Sequence, residues 1–156
     1  MEEDAREYYL DRQRLTSRRL SASYLVPDGL LYTKEHEWVK ITGTTAKIGV
    51  TDYAAKTLND VVYLTLPSVG QEVKQFQSFG TVESIKAVSE LYSPFTGTLI
   101  KSNPELANHP ELVNASPYEM GWIIEVSLKK LEEERKGLLT PAQYKEFLKS
   151  VAQEHH

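Results

Sequence analysis

Cysteine is absent from the 156 residues. A chain without thiols has no disulfide framework, no thiolate nucleophile, no iron–sulfur cluster and no Cys-based zinc site. An excess of one charge is missing as well. The 18 Lys and Arg stand against 22 Asp and Glu, so neither nucleic acid nor an anionic membrane surface meets a basic footprint. No run approaches the roughly 18 apolar residues of a membrane-spanning helix. The phosphate-cradling G-x-G-x-x-G and G-x-x-x-x-G-K-[ST], the G-x-S-x-G nucleophile turn and the H-E-x-x-H zinc pair are all missing. What is present, 40% hydrophobic and 26% charged residues, is the composition of one globular domain.

Composition divides the chain in three. Residues 1–28 are polar, with Arg6, Arg12, Arg14, Arg18 and Arg19 balanced by Glu2, Glu3, Asp4, Glu7 and Asp11, and end at the turn signal Pro27-Asp28-Gly29. They read as a helix or an arm, an extension to a domain of residues 29–156. The acidic residues count against a mitochondrial presequence, although the basic, Ser-containing stretch 17–21 has that flavour, and no apolar segment suits secretion. A cytoplasmic protein of a bacterium or archaeon is expected, with the mitochondrial matrix the weaker alternative.

Residues 30–128 alternate with period two and are broken by Gly and Pro, the pattern of short strands. Glu37–Thr42 and Ala46–Val50 flank Gly43 as a hairpin. In 60–66 the alternation puts Val62, Leu64 and Leu66 on one face and Val61, Tyr63 and Thr65 on the other; in 122–128 it aligns Trp122, Ile124, Val126 and Leu128. Thr51–Leu58 reads as a helical turn capped by Thr51. Near the end, Thr140-Pro141-Ala142-Gln143 is a capping box, and Tyr144, Phe147, Leu148 and Val151 recur at helical spacing as a stripe that should pack on the sheet. The charges of 129–136 read as a solvated helix face. The whole is mainly β, a small barrel or sandwich with helices at the N and C termini.

Chemistry is sparse. His36 lies between Glu35 and Glu37, but neighbours on a strand point to opposite faces, which spoils a three-ligand metal site and leaves only the two carboxylates together. No metal is expected. Between two strand-like runs, Gly80–Ser84 and Val88–Ser93, stands Ile85-Lys86-Ala87, which puts a lysine at a hairpin tip. Local chemistry gives that lysine no Schiff-base pocket.

Glu83-Ser84-Ile85-Lys86-Ala87 followed by Ser93-Pro94-Phe95-Thr96-Gly97 resembles the lipoyl-lysine hairpin of the glycine cleavage H-protein family. Four more blocks in family order extend the resemblance from about Leu30 to Leu148: Tyr32–Val39, Ile48–Ala54, Val61–Pro67 and Asn114–Trp122. It implies a barrel-sandwich hybrid of the lipoyl/biotinyl-carrier type, a flattened barrel of two quasi-symmetric sheets. Biotin carriers flank their lysine with methionines, which Ile85 and Ala87 are not.

The resemblance also implies roles. Lys86 would carry lipoate in amide linkage, put there by a lipoate ligase or by a lipoyl transferase with lipoyl synthase, which would recognise Glu83, Ser84, Ile85 and Ala87. The chain would be a monomeric carrier and no enzyme, its arm loaded with an aminomethyl group by a pyridoxal phosphate-dependent glycine decarboxylase. An aminomethyltransferase would unload it and dihydrolipoamide dehydrogenase would reoxidise it. Glu37 and Glu90 would hold the cationic amine in a cleft, Glu90 standing where the family usually has Asp, and Thr57 stands where some members have an arm-contacting histidine. Asn59 replaces a usual Gly, removing a permissive backbone position. The alternative is an H-protein-like lipoate carrier dedicated to a bacterial sulfur-oxidation pathway with a heterodisulfide-reductase-like complex.

Overall fold

The computed structural model describes residues 24–154. The helix or arm expected before Tyr24 lies outside the described residues. The remainder of that extension belongs to the body: Val26 is buried, the Leu25 N–H donates to Asp52 Oδ2 at 2.9 Å, and Tyr118 Oη donates to the Leu25 carbonyl at 2.6 Å.

Nine strands follow among the described residues: β1 (Leu31–Tyr32), β2 (Glu37–Thr42), β3 (Thr45–Val50), β4 (Val61–Thr65), β5 (Glu72–Val73), β6 (Ser78–Ser84), β7 (Val88–Tyr92), β8 (Gly97–Ser102) and β9 (Ile124–Leu128). Four helices accompany them: α1 (Asp52–Leu58), α2 (Leu112–Ala115), α3 (Leu131–Glu134) and α4 (Pro141–Glu154). The strands form a six-stranded sheet in the order β1-β2-β3-β9-β8-β5 and a three-stranded sheet in the order β4-β6-β7, every neighbouring pair antiparallel. The mainly β sandwich is as expected, but the sheets are unequal and neither closes.

The core lies between the sheets, where Val39, Ile48, Leu99 and Val126 of the larger meet Val61, Val82 and Leu91 of the smaller around Phe95. Truncating one such side chain to alanine costs about 2–5 kcal/mol, so the core holds the two sheets in fixed relation. A second cluster joins Val26, Leu30, Tyr32, Trp38, Tyr144 and Leu148, seating α4 on β1 and β2. The capping box is reciprocal, Gln143 N–H donating to Thr140 Oγ1 at 3.2 Å and the Thr140 N–H to Gln143 Oε1 at 2.9 Å. Tyr144 and Leu148 of the stripe are buried, with Tyr144 stacked on Tyr32 at 4.7 Å.

Three readings of the sequence change. In β4 a bulge lets both Val61 and Tyr63 pair with β6 while Val62 is extra, so Val61 is buried and Val62 and Tyr63 are both exposed. Strict alternation cannot foresee that phase shift. Trp122 precedes β9 and leaves the central core; its ring lies under the Lys47 and Lys101 ammonium groups at 4.9 and 5.8 Å. Glu134 is more than a solvated acid. Its two carboxylate oxygens accept from Thr96 N–H at 2.8 Å and Thr96 Oγ1 at 2.5 Å, strapping α3 to the turn before β8.

Candidate functional site

The hairpin tip is built by one serine. Ser84 is buried, and its Oγ accepts from the N–H groups of Lys86 at 3.3 Å and Ala87 at 3.2 Å while its own N–H donates to the Ala87 carbonyl at 2.8 Å. Ile85 N–H donates to the Asp60 carbonyl at 3.0 Å, tying the tip to the end of α1. Lys86 is exposed on this stiffened corner, with Ile85 and Val88 exposed on either side. Of the four residues expected to meet a modifying enzyme, Glu83, Ile85 and Ala87 are on the surface, and Ser84 is turned inward to shape the tip.

From the tip, Val88, Glu90 and Tyr92 share the outer face of β7, while Leu91 between them is buried. That face leads over roughly 20 Å, six extended residues, toward a cavity of about 460 Å³ lined by Thr33, Lys34, Glu35, Glu37, Phe76, Tyr92, Gly137 and Leu139.

Glu37 is the cavity's buried acid. Its Oε1 accepts from Thr33 Oγ1 at 2.5 Å, and its Oε2 accepts from the Tyr92 N–H at 3.1 Å. Burial pushes its carboxyl up to about 8; the two hydrogen bonds oppose that rise and the nearby Glu35 carboxylate adds to it. A cation entering here meets an oriented acid shielded from water and favours its ionised form, so the proton leaves as the cation binds and the resulting attraction is stronger than at a wet surface. Lipoyl-type cargo fits these surroundings: an exposed amine for attachment at Lys86, an apolar wall of Phe76, Tyr92 and Leu139, and a buried acid.

The other expected cleft residues are placed differently. Glu90 is exposed on β7 and accepts a short hydrogen bond from Ser78 Oγ, on the same face as Tyr92 but outside the cavity lining. Thr57 does not line the cavity: the cap at Thr51 orients α1 so that Thr57 faces solvent and its Oγ1 donates to the Tyr53 carbonyl at 2.9 Å. Glu35 occupies a turn, not a strand, because His36 at φ 73° reverses the chain between the two acids. The His36 ring packs against Tyr53, Tyr144 and Phe147, its Nδ1 2.8 Å from Tyr144 Oη, and burial lowers its pKa to about 4. Among the described residues no group of three or more His, Cys, Asp or Glu could hold a metal ion.

Thr33, Phe76, Gly137 and Leu139 were not singled out by the sequence. Thr33 stands four residues from Glu37, a spacing that could have suggested the contact; Leu139 and Gly137 come from more than forty residues beyond Tyr92 and carry no local signal.

The glycine cleavage H-protein family model matches residues 30–151. A curated glycine cleavage system H protein of Staphylococcus haemolyticus is 49% identical over 123 residues, covering 79% of this chain and 97% of its own length. The chain belongs to the glycine cleavage H-protein family. An H protein of Halothermothrix orenii is 44% identical over 126 residues, 81% of this chain and 98% of its own. The crystal structure of an H protein from Mycobacterium marinum is similar at TM-score 0.67 and 32% identity, covering 76% of this chain and 95% of that one. H proteins are lipoyl carriers and not catalysts. Among the described residues no helix is long and apolar enough to cross a membrane.

Proposed function

We propose that this H protein carries lipoate on Lys86 and shuttles an aminomethyl group taken from glycine between the enzymes of the glycine cleavage system. Lys86, exposed on a tip ordered by Ser84, is the observation that carries the reading. Bound lipoate supplies a disulfide that accepts the one-carbon amine and a dithiol that is later reoxidised. The chain itself presents the attachment amine, and its Glu37 receives the cationic end of the cargo. Tethering keeps the cargo at high effective concentration while it visits successive active sites.

The partners on this reading are a pyridoxal phosphate-dependent glycine decarboxylase, an aminomethyltransferase and dihydrolipoamide dehydrogenase, in a cytoplasmic setting with the carrier as a monomer. A lipoate ligase, or a lipoyl transferase with lipoyl synthase, modifies Lys86. Before modification the lysine reaches no further than its own side chain, so the modifying enzyme must press against the tip. The surface it meets there is the cross-strand row of exposed Tyr63, Glu83 and Val88, with Ile85 and Ala87 beside it. No observation favours the sulfur-oxidation alternative.

The test has two stages. Coexpression with a lipoate ligase adds one lipoyl group to the intact mass of the wild type and none to Lys86→Arg. The lipoylated protein then supports carbon dioxide exchange by glycine decarboxylase. Modification of Lys86→Arg would overturn the site, and a modified wild type that supports no exchange would overturn the glycine assignment.

A further inference from the structure

Phe76 has an unusual position. Its φ is 63°, a conformation disfavoured for any residue with a side chain. The residue is 51% exposed, so burial does not compensate for that conformation. The surrounding backbone nevertheless holds it firmly: the Phe76 N–H donates to the Ser93 carbonyl at 2.7 Å, the Ser93 N–H to the Gln77 carbonyl at 3.0 Å, and Gln75 Nε2 to the Glu134 carbonyl at 2.9 Å. Thr96 Oγ1 accepts from the Gln75 N–H at 3.1 Å, and the same hydroxyl is strapped to Glu134.

The ring lines the cavity that holds Glu37. Its edge stands beside Gly137, where an added Cβ would meet Cζ at an ordinary contact distance of 3.5 Å. The cavity is therefore amphipathic, with Glu37, Glu35 and Thr33 as its polar part and Phe76, Tyr92 and Leu139 as its apolar part. A cargo with an ammonium group on a sulfur-bearing hydrocarbon chain matches both. Thioethers pack favourably on aromatic rings, and an ammonium is attracted to a ring face.

We propose that Phe76 is a specificity-determining residue of this cavity, its exposed ring holding the sulfur-bearing stem of the cationic cargo against Glu37 and keeping water from it. The inference rests on the reading of Lys86 as the lipoyl carrier. Its consequence is kinetic. Loss of the cargo to water consumes one water molecule and yields the free dithiol, one formaldehyde and one ammonium ion, and Phe76 slows that loss.

The experiment uses the full-length lipoylated protein, loaded from glycine by glycine decarboxylase, separated from the enzyme and left in buffer while ammonium is measured. Wild type is compared with Phe76→Gly and Phe76→Trp, and each variant's melting temperature is recorded. Glycine accepts the positive φ, so Phe76→Gly melts no lower than wild type yet releases ammonium about fivefold faster or more, and Phe76→Trp retains cargo as wild type does. Equal release from wild type and Phe76→Gly overturns the inference while leaving the carrier function intact. A large fall in the melting temperature of Phe76→Gly overturns it as well, because the ring would then be packing. A wild type that takes no lipoate, or takes it and is not loaded, overturns the proposed function and this inference with it.

Discussion

Glu37 and Tyr92, 55 positions apart, are joined by a hydrogen bond of 3.1 Å from the Tyr92 N–H to Glu37 Oε2. Glu37 opens β2 of the large sheet and Tyr92 closes β7 of the small one, the strand that starts at the Lys86 tip. One buried carboxylate thus ties the floor of the cavity to the hairpin that bears the attachment site.

Glu37 makes stability depend on pH in a defined direction. Its folded pKa of about 8 lies above the ordinary 4.5, so the unfolded chain loses this proton first as pH rises. Stability is fully present below about 4.5 and declines through the interval up to about 8, by an amount on the order of a few kcal/mol. Urea midpoints measured from pH 7 to 8, above the interval in which His36 takes effect, fall in the wild type and flatten in Glu37→Gln. Equal slopes in the two proteins would contradict the assignment.

His36 acts on the acid side. Its folded pKa of about 4 lies below the ordinary 6.5, so its contribution is present above 6.5 and is lost as pH falls toward 4. The rings packed on it, Tyr53, Tyr144 and Phe147, bring no carboxylate that could serve the imidazolium as a counter-ion. His36→Asn tolerates the positive φ and removes the titration. Because Glu37 stabilises in the opposite direction over the same interval, the comparison is made with Glu37→Gln as the parent, whose melting temperature falls between pH 6.5 and 4, and adding His36→Asn should flatten that fall.

Ser84 orders the tip, so Ser84→Ala should impair modification more than folding. Losing hydroxyl contacts to the Lys86 and Ala87 N–H groups costs about 1 kcal/mol of stability. The initial rate of lipoylation, followed by intact mass, should drop severalfold while the melting temperature shifts by only a few degrees. Unchanged lipoylation would show that the enzyme reorders the tip itself.

Asn59 caps α1 at φ 62° and ψ −152°, a combination that glycine adopts freely and other residues do not. Asn59→Gly is expected to stabilise the protein by about 1 kcal/mol, read as a higher melting temperature. The Asn59 carbonyl that accepts from Asn114 Nδ2 at 2.5 Å is retained in the variant. A lower melting temperature would mean that the asparagine side chain contributes more than its backbone strain costs.

Much was legible because it is local. The Lys86 hairpin, the Thr51 cap, the Thr140–Gln143 capping box and the α4 stripe are each specified within a few residues by turn chemistry and periodicity. Asn59 belongs with them, since a missing glycine already pointed to backbone strain there. The β4 bulge, the outward Trp122 and the Glu134 strap were not legible, because each depends on register or on a partner far along the chain.

By itself, then, the sequence determined a two-sheet β protein, the lysine at an exposed tip, and Glu37 as an acid of interest. Tertiary structure alone decided that Glu37 would be buried, hydrogen-bonded to Tyr92 and faced by Phe76, and that Thr57 would be turned away from it. The reason is physical. Strand and helix patterns arise from neighbours in the chain, whereas a cavity and the pKa inside it arise where sheets, loops and a C-terminal turn stack against one another.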